Sequence, residues 1–276
     1  MSSELAIRSE VLRHRASILV TARANDPRSL RRRGRTLWRL GTLHFRLGEF
    51  EKAASYSGEA ADILRSQPAE WTIALYARGR QAAALFQLGR HEETVTCLDM
   101  VISSRSEVLE LLGRKTPKGV RWEDSIADLL ALKIAAFNRL GRKDDADVAA
   151  GLVIEGFGNG GTRQQRLLVA QALVTRGRRA RSKGDTENAL AALEDASRRC
   201  AAVENSDFAL TYCNAVLERG ALLDELGNAE GALAAYREVA NRFASASEPW
   251  LQEAVESATR LRTELTARAG SNPQSD

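Results

Sequence analysis

The sequence predicts an all-α chain built from antiparallel helix hairpins stacked side by side. Three observations carry this expectation. Ala, Leu, Arg and Glu dominate a chain of 276 residues in which aromatics are only 5%, and these are helix-forming residues. No alternating run of Val, Ile, Thr and aromatics reads as a strand. Finally, one glycine-anchored frame recurs five times.

Gly48 anchors the first copy. Gly41 lies seven residues before it, and Ala53, Ser57 and Ala60 lie five, nine and twelve after it. The same frame gives Gly89 with Ala82, Thr94, Leu98 and Val101, and Gly141 with Ile134, Ala146, Ala150 and Val153. It continues with Gly184 (Gly177, Ala189, Leu193, Ala196) and Gly227 (Gly220, Ala232, Tyr236, Val239). The anchors are 41, 52, 43 and 43 residues apart. An apolar-periodic helix precedes each anchor and another comes after it. The anchor glycine is therefore expected at a left-handed helix end, where a Cβ would be penalised. Glu49, Glu92, Asp144 and Asp185 come just after their anchors, where a helix dipole favours negative charge. The small residues seven before and five after the anchor should let the two helices approach closely. The residue at twelve should meet the next hairpin. One hairpin cannot bury its apolar faces alone, so stacking is required.

The segments Leu40-Gly41, Leu47-Gly48-Glu49-Phe50, Leu88-Gly89-Arg90, Leu140-Gly141-Arg142, Lys183-Gly184-Asp185 and Leu226-Gly227, with their trailing alanines, carry a resemblance. The pattern resembles the tetratricopeptide repeat (TPR) family in a long-repeat bacterial type of about 42 residues, against the usual 34. The stretch from Tyr236 to Phe243, with Pro249-Trp250-Leu251 after it, looks like the linker and helix of long bacterial arrays. The likeness covers roughly residues 28–268. Thr94 and Ile134 stand where the family carries small residues, and His44 where it carries an aromatic. The resemblance implies a right-handed α-solenoid of about five units with capping helices at both ends. It also implies that the first helix of each hairpin lines a concave groove.

Taken in order, residues 3–23 read as a helix with Leu5, Val11, Leu12, Ile18 and Leu19 on one stripe. Asn25-Asp26-Pro27 ends it. Residues 1–27 are thus expected to be an N-terminal cap and linker, and 28–246 the array. Hairpins are expected near 28–66, 69–113, 121–157, 163–202 and 207–244. The basic, breaker-rich Gly113–Gly119 loop accounts for the 52-residue step. Phe157-Gly-Asn-Gly-Gly161 is another break. It lacks the strand and the Gly-Lys-Ser/Thr of a phosphate loop. A C-terminal capping helix is expected within 247–269, with Trp250, Val255, Ala258 and Leu261 inward. Residues 270–276 are expected to be a disordered tail.

Composition excludes several classes of function. Cys97, Cys200 and Cys213 are far apart and odd in number. They read as small buried hydrophobes in a reducing compartment, not as a disulfide or zinc framework. No apolar run is long enough to span a bilayer, and charges interrupt the N-terminus where a signal core would lie. A cytoplasmic protein is expected. His14, His44 and His91 have no ligand-like partner at helical spacing; His44 should pack inside the first hairpin, and His14 and His91 should face solvent. Asp144, Asp145 and Asp147 read as helix-start charges. No nucleophile, base or metal constellation is visible. The expectation is a non-enzyme without cofactor or metal.

Binding fits better. Residues 1–46 hold 11 Arg against 3 acids, a net +8 within a chain of net +4, so one end is basic. In the frame implied by the resemblance, groove-facing candidates are Arg35, Trp38, Arg39, Thr42, Phe45 and Arg46 on the first hairpin, and Tyr76 and Arg80 on the second. Arg178 and Arg181 are their counterparts on the fourth, and Glu218, Asp224 and Glu225 on the fifth. Such a groove would be basic at its N-terminal end and acidic at its C-terminal end. Arginines offer bidentate contacts to carboxylates and the aromatics offer apolar anchors. The expected function is an adaptor or scaffold for a protein or peptide partner, an acidic one at the basic end, with self-association possible. One alternative is a peptide-responsive regulator in which a ligand alters superhelix pitch. Another is anionic-polymer binding through Arg28–Arg35. That stripe does not continue, and no DNA-reading motif accompanies it, so nucleic acid is the weaker expectation.

Overall fold

Five glycines, and no other described residue, adopt left-handed backbone: Gly48, Gly89, Gly141, Gly184 and Gly227, with φ between 71° and 78°. These are the five anchors of the sequence frame, and each ends one helix just before the next. At each, the residue after the glycine, third beyond the helix, donates back into it, as Glu49 N does to His44 O at 3.0 Å and Arg90 N to Leu85 O at 3.0 Å. That is the bonding that left-handed helix ends supply.

The structure is a computed structural model that describes residues 2–21, 26–102, 122–159, 162–201 and 206–270. Twelve α-helices and no strand occur among them. They are α1 (Ser2–Thr21), α2 (Pro27–Arg46), α3 (Phe50–Arg65), α4 (Trp71–Gln87), α5 (His91–Asp99) and α6 (Trp122–Arg139). The rest are α7 (Lys143–Phe157), α8 (Arg163–Ser182), α9 (Thr186–Ala201), α10 (Ser206–Glu225), α11 (Ala229–Arg242) and α12 (Pro249–Gly270). A single 3-10 turn, Pro68–Glu70, leads into α4. The Gly113–Gly119 loop, the last two residues of the Phe157–Gly161 break and residues 271–276 lie outside the described residues.

The chain divides into two compact units, Met1–Arg142 and Lys143–Asp276. In the first, α2 pairs with α3 and α4 with α5, while α2, α4 and α6 touch in succession. In the second, α8 pairs with α9 and α10 with α11, while α8, α10 and α12 touch in succession. Each unit therefore carries a row of first helices backed by second helices.

Packing obeys the frame and refines it. Ala53, Thr94, Ala146, Ala189 and Ala232, five after each anchor, are fully buried. The close approach, however, runs from seven before to nine after. A Cβ on Gly41 would stand 2.1 Å from Ser57 Oγ, one on Gly177 2.8 Å from Leu193, and one on Gly220 2.6 Å from Tyr236. Twelve after the first anchor, Ala60 packs with Leu37, Ala61 and Ala77 and so reaches α4. Val239 likewise joins Leu251 and Ala254 of α12.

The end helices meet the expectation in part. In α1, Val11 is buried on Leu40 and Leu43 with Ile7 and Ile18 beside it, but Leu5 and Leu12 are 65% and 66% exposed. In α12, Leu251, Ala254, Ala258 and Leu265 form the buried row. Trp250 and Leu261 are only partly buried, and Val255 is half-exposed. Among the described residues each end helix has neighbours on one side alone, and that side selects among the apolar positions.

Candidate functional site

The candidate site is built on α2. Asp26 caps it, its Oδ1 accepting from the backbone N–H of Arg28 and Ser29 at 3.0 Å each, and Pro27 opens the first turn. Hydrogen bonds from Ser29 hold the Asp26 carboxyl below the usual carboxylate range. The buried side carries Leu37, Leu40, Gly41, Leu43 and His44. What remains outward is largely arginine.

Those arginines divide into two sets. Arg35 reaches the start of the next hairpin, where its Nε and Nη2 donate to Glu70 at 2.8 and 2.7 Å. Glu70 is 2% exposed, and its hydrogen bonds raise the Arg35 pKa. Arg31 joins this cluster, 3.4 Å from Glu70 and 3.3 Å from Gln67, while Gln67 donates to Pro27 O at 3.3 Å. Arg33 pairs with Glu59 on α3. Arg31 and Arg35 hold the hairpin step together, and Arg33 ties α2 to α3 within the hairpin. Arg28, Arg32, Arg39 and Arg46 are exposed and have no side-chain carboxylate partner among the described residues.

Beside Arg39 and Arg46 lies an aromatic brace. The Arg80 guanidinium of α4 sits over the Phe45 ring at 4.6 Å, and Phe45 meets Phe50 edge-on at 5.3 Å. Such a cation–π contact is worth about 0.5–1 kcal/mol where solvent reaches it. Arg80 is half-buried, and burial pushes its pKa down with no offsetting carboxylate. Trp38 is half-buried against the Leu37–Ala60–Ala77 cluster. Thr42 Oγ1 donates to Trp38 O at 3.1 Å, and Tyr76 is half-buried on α4.

The second unit fills the equivalent positions differently. Arg181 lies three residues before its anchor, as Phe45 does before Gly48. Glu218 lies nine before its anchor, as Arg39 and Arg80 do before theirs. Where Phe45 meets Arg80, Arg181 Nη1 donates to Glu218 at 2.8 Å. Arg178 Nε also donates to Glu218 at 2.7 Å, and Arg181 Nε donates to Glu225 at 2.9 Å. Arg268 of α12 completes the row on Asp224 at 2.7 Å. Glu225 raises the Arg181 pKa, and Arg181 holds the Glu225 carboxyl down. In the second unit, then, the candidate arginines are engaged by acids of the same face; Arg39, Arg46 and Arg80 are not.

The other reactive side chains have structural surroundings. His44 is buried, its Nδ1 2.7 Å from Glu49 Oε2 and its ring stacked on Tyr56 at 5.2 Å. His91 does not face solvent: it is half-buried, with its ring 4.9 Å from Phe86. His14 is also largely covered, 3.5 Å from Glu10. Both lie over hairpin or helix surfaces that linear reading does not show. The three cysteines are free and buried, and burial pushes Cys200 and Cys213 up to about 12. No cluster of potential metal ligands occurs among the described residues, and no described helix is long and apolar enough to cross a membrane.

One feature escapes linear reading and another does not. Glu70, the anchor for Arg31 and Arg35, gives no local signal because its partners lie 35 and more residues away. The face formed by Arg28, Arg32, Arg35, Arg39 and Arg46 does have one. At 3.6 residues per turn these five fall within about 40° of one line along α2.

No protein-family model matches the chain, and no curated protein matches its sequence. Solved structures do resemble it. BtubC (BKLC) from P. vanneervenii matches with a TM-score of 0.56 at 16% identity, over 98% of this chain and 95% of that one. The apo form of RapI matches with 0.59 at 11% identity, over 97% and 72%. Acl4, an assembly chaperone of RpL4, matches with 0.52 at 19% identity, over 96% and 99%. The fold is that of TPR-type helical repeat proteins.

Proposed function

We propose that this protein is a non-catalytic, protein-binding adaptor that docks an acidic segment on the α2–α4 face of its first unit. The observation that carries this reading is the set of unmatched cations there. Arg39 and Arg46 are exposed without a carboxylate partner among the described residues, and Arg80 is half-buried over Phe45 with none either. A partly desolvated guanidinium gains most from a carboxylate brought by a ligand. Trp38, Phe45 and Tyr76 supply apolar surface beside it, and Thr42 a polar group. Arg35, Arg178 and Arg181 have a different role in this reading, since Glu70, Glu218 and Glu225 already satisfy them. Acl4, by its description a chaperone for another protein's assembly, supports a binding role for this architecture.

Affinity capture from the native cell tests the proposal, with wild-type protein and an Arg39→Glu/Arg80→Glu variant as baits. The expected result is one or more acidic partners recovered by the wild type and lost by the variant. Unchanged recovery overturns the assignment of the face. A gel-shift arm with random duplex at low salt is expected to show no complex; a salt-steep shift would move the reading to nucleic acid.

A further inference from the structure

Helix α2 presents two neighbouring rows that repeat every seven residues. One row is Arg32, Arg39 and Arg46; the other is Arg31, Trp38 and Phe45. The first row is exposed cation. In the second, Trp38 and Phe45 are half-buried and lie towards α4, where Phe45 meets Arg80. A seven-residue step along a helix advances about 10.5 Å, so the three guanidiniums are rooted at equal intervals over about 21 Å.

That interval discriminates between shapes of partner. An extended segment rises about 3.3 Å per residue and alternates its side chains between faces. Carboxylates 10.5 Å apart on it would be three residues apart and would point in opposite directions. Only every second arginine could then be met from one side. A helix laid along α2 has the same rise and the same near-heptad recurrence, so one face of it can meet all three. The adjacent aromatic row calls for an apolar row next to the acidic one on the partner.

Resting on the acidic-segment reading above, we propose that the partner segment is an acidic amphipathic helix. It lies along α2, with carboxylates on a seven-residue repeat facing Arg32, Arg39 and Arg46. An apolar residue adjoins each carboxylate and packs on Trp38 and Phe45. A polyphosphate fits less well. It has no apolar row to offer, and the chain beyond residue 46 carries net negative charge that would repel a long polyanion.

The test uses the full chain and two labelled peptides of identical composition, each roughly 21 residues or three heptads long. One places Glu and Leu at adjacent positions of every heptad. The other redistributes the same residues on a two-residue alternation. Fluorescence anisotropy reads affinity, and circular dichroism reads helix gained on binding. The heptad peptide is expected to bind about tenfold tighter than its isomer, to gain helicity, and to lose about tenfold with Arg39→Glu, a change of about 1.4 kcal/mol. Arg39 is exposed, and far-UV dichroism of the variant confirms that its fold is kept. Equal affinity for the two peptides, both weakened by Arg39→Glu, overturns the helical partner and leaves the acidic-segment reading standing. Binding that ignores Arg39→Glu, or no binding to either peptide, overturns both. Displacement of both peptides alike by random duplex DNA replaces the helix with a nucleic acid.

Discussion

Replacing Gly41 by Ala sets two known effects against each other. Inside a helix, Ala is favoured over Gly by about 1 kcal/mol. Gly41 is an interior residue of α2, so without neighbours the variant would be more stable. The neighbours decide otherwise. The new Cβ would lie 2.1 Å from Ser57 Oγ, 3.1 Å from Ser57 N and 3.2 Å from Ser57 Cβ. Turning the hydroxyl away relieves only the first contact. The other two belong to the backbone and the root of the side chain, so α2 and α3 must separate. Overpacking of this kind costs about 1–3 kcal/mol, and contacts of 3.1 and 3.2 Å, which a shift of a few tenths of an ångström relieves, belong in the middle of that range. The net expectation is a loss of about 1 kcal/mol. Urea denaturation monitored at 222 nm reads it, with the midpoint falling and the slope unchanged. Gly151→Ala is the matched control. Gly151 also lies within a helix, α7, but a Cβ there meets nothing within 4 Å, so that variant should gain up to about 1 kcal/mol. If the two substitutions shift stability in the same direction, the close helix approach is not what places glycine at position 41.

Two further outcomes concern the buried side chains. Burial holds the His44 pKa below its ordinary 6.5 although Glu49 pulls the other way; Lys52 and Arg15 add to the lowering. The unfolded state therefore binds the proton more readily, so His44 stability is full above pH 6.5 and declines as pH falls below it. Denaturation midpoints at pH 7.5 and 5.5 should differ in the wild type and converge in His44→Gln; an undiminished difference in the variant assigns the effect elsewhere. The thiols of Cys200 and Cys213, buried and pushed up to about 12, should resist a thiol-specific chromophoric reagent at pH 8 until denaturant is added. Prompt reaction in the native protein would show that the core around them opens.

The repeat is legible because its signals are local. Gly48, Gly89, Gly141, Gly184 and Gly227 are marked by small and apolar residues within twelve positions on either side, and all five adopt the left-handed turn. Periodicity fails where a helix has a neighbour on one side only. Leu5 and Leu12 of α1 are as apolar as Val11, yet only the Val11 side meets α2. The same holds for Val255 beside Ala254 in α12. At the site, the residue types are readable and their pairing is not. Arg35 and Arg39 look alike in sequence, but Glu70 reaches one of them from the next hairpin. Glu218 and Glu225, some forty residues on, do the same for Arg178 and Arg181. Charge balance of that kind depends on which helix lies alongside, and no local window contains it.

The ion pairs across α8, α10 and α12 also constrain the order of the modules. Backbone packing is nearly interchangeable: every hairpin turns on the same glycine and buries the residues five and nine after it. The charges are not. Arg39 and Arg46 occupy, in the first hairpin, the positions that Glu218 and Glu225 occupy in the last. A shuffled chain with the α2–α3 hairpin in place of α10–α11 would bring two arginines against Arg178 and Arg181, cation on cation. Each hairpin would still be able to form, but the junction would be repelled. The pairs thus act as address labels, telling otherwise similar modules which neighbour each is meant to have.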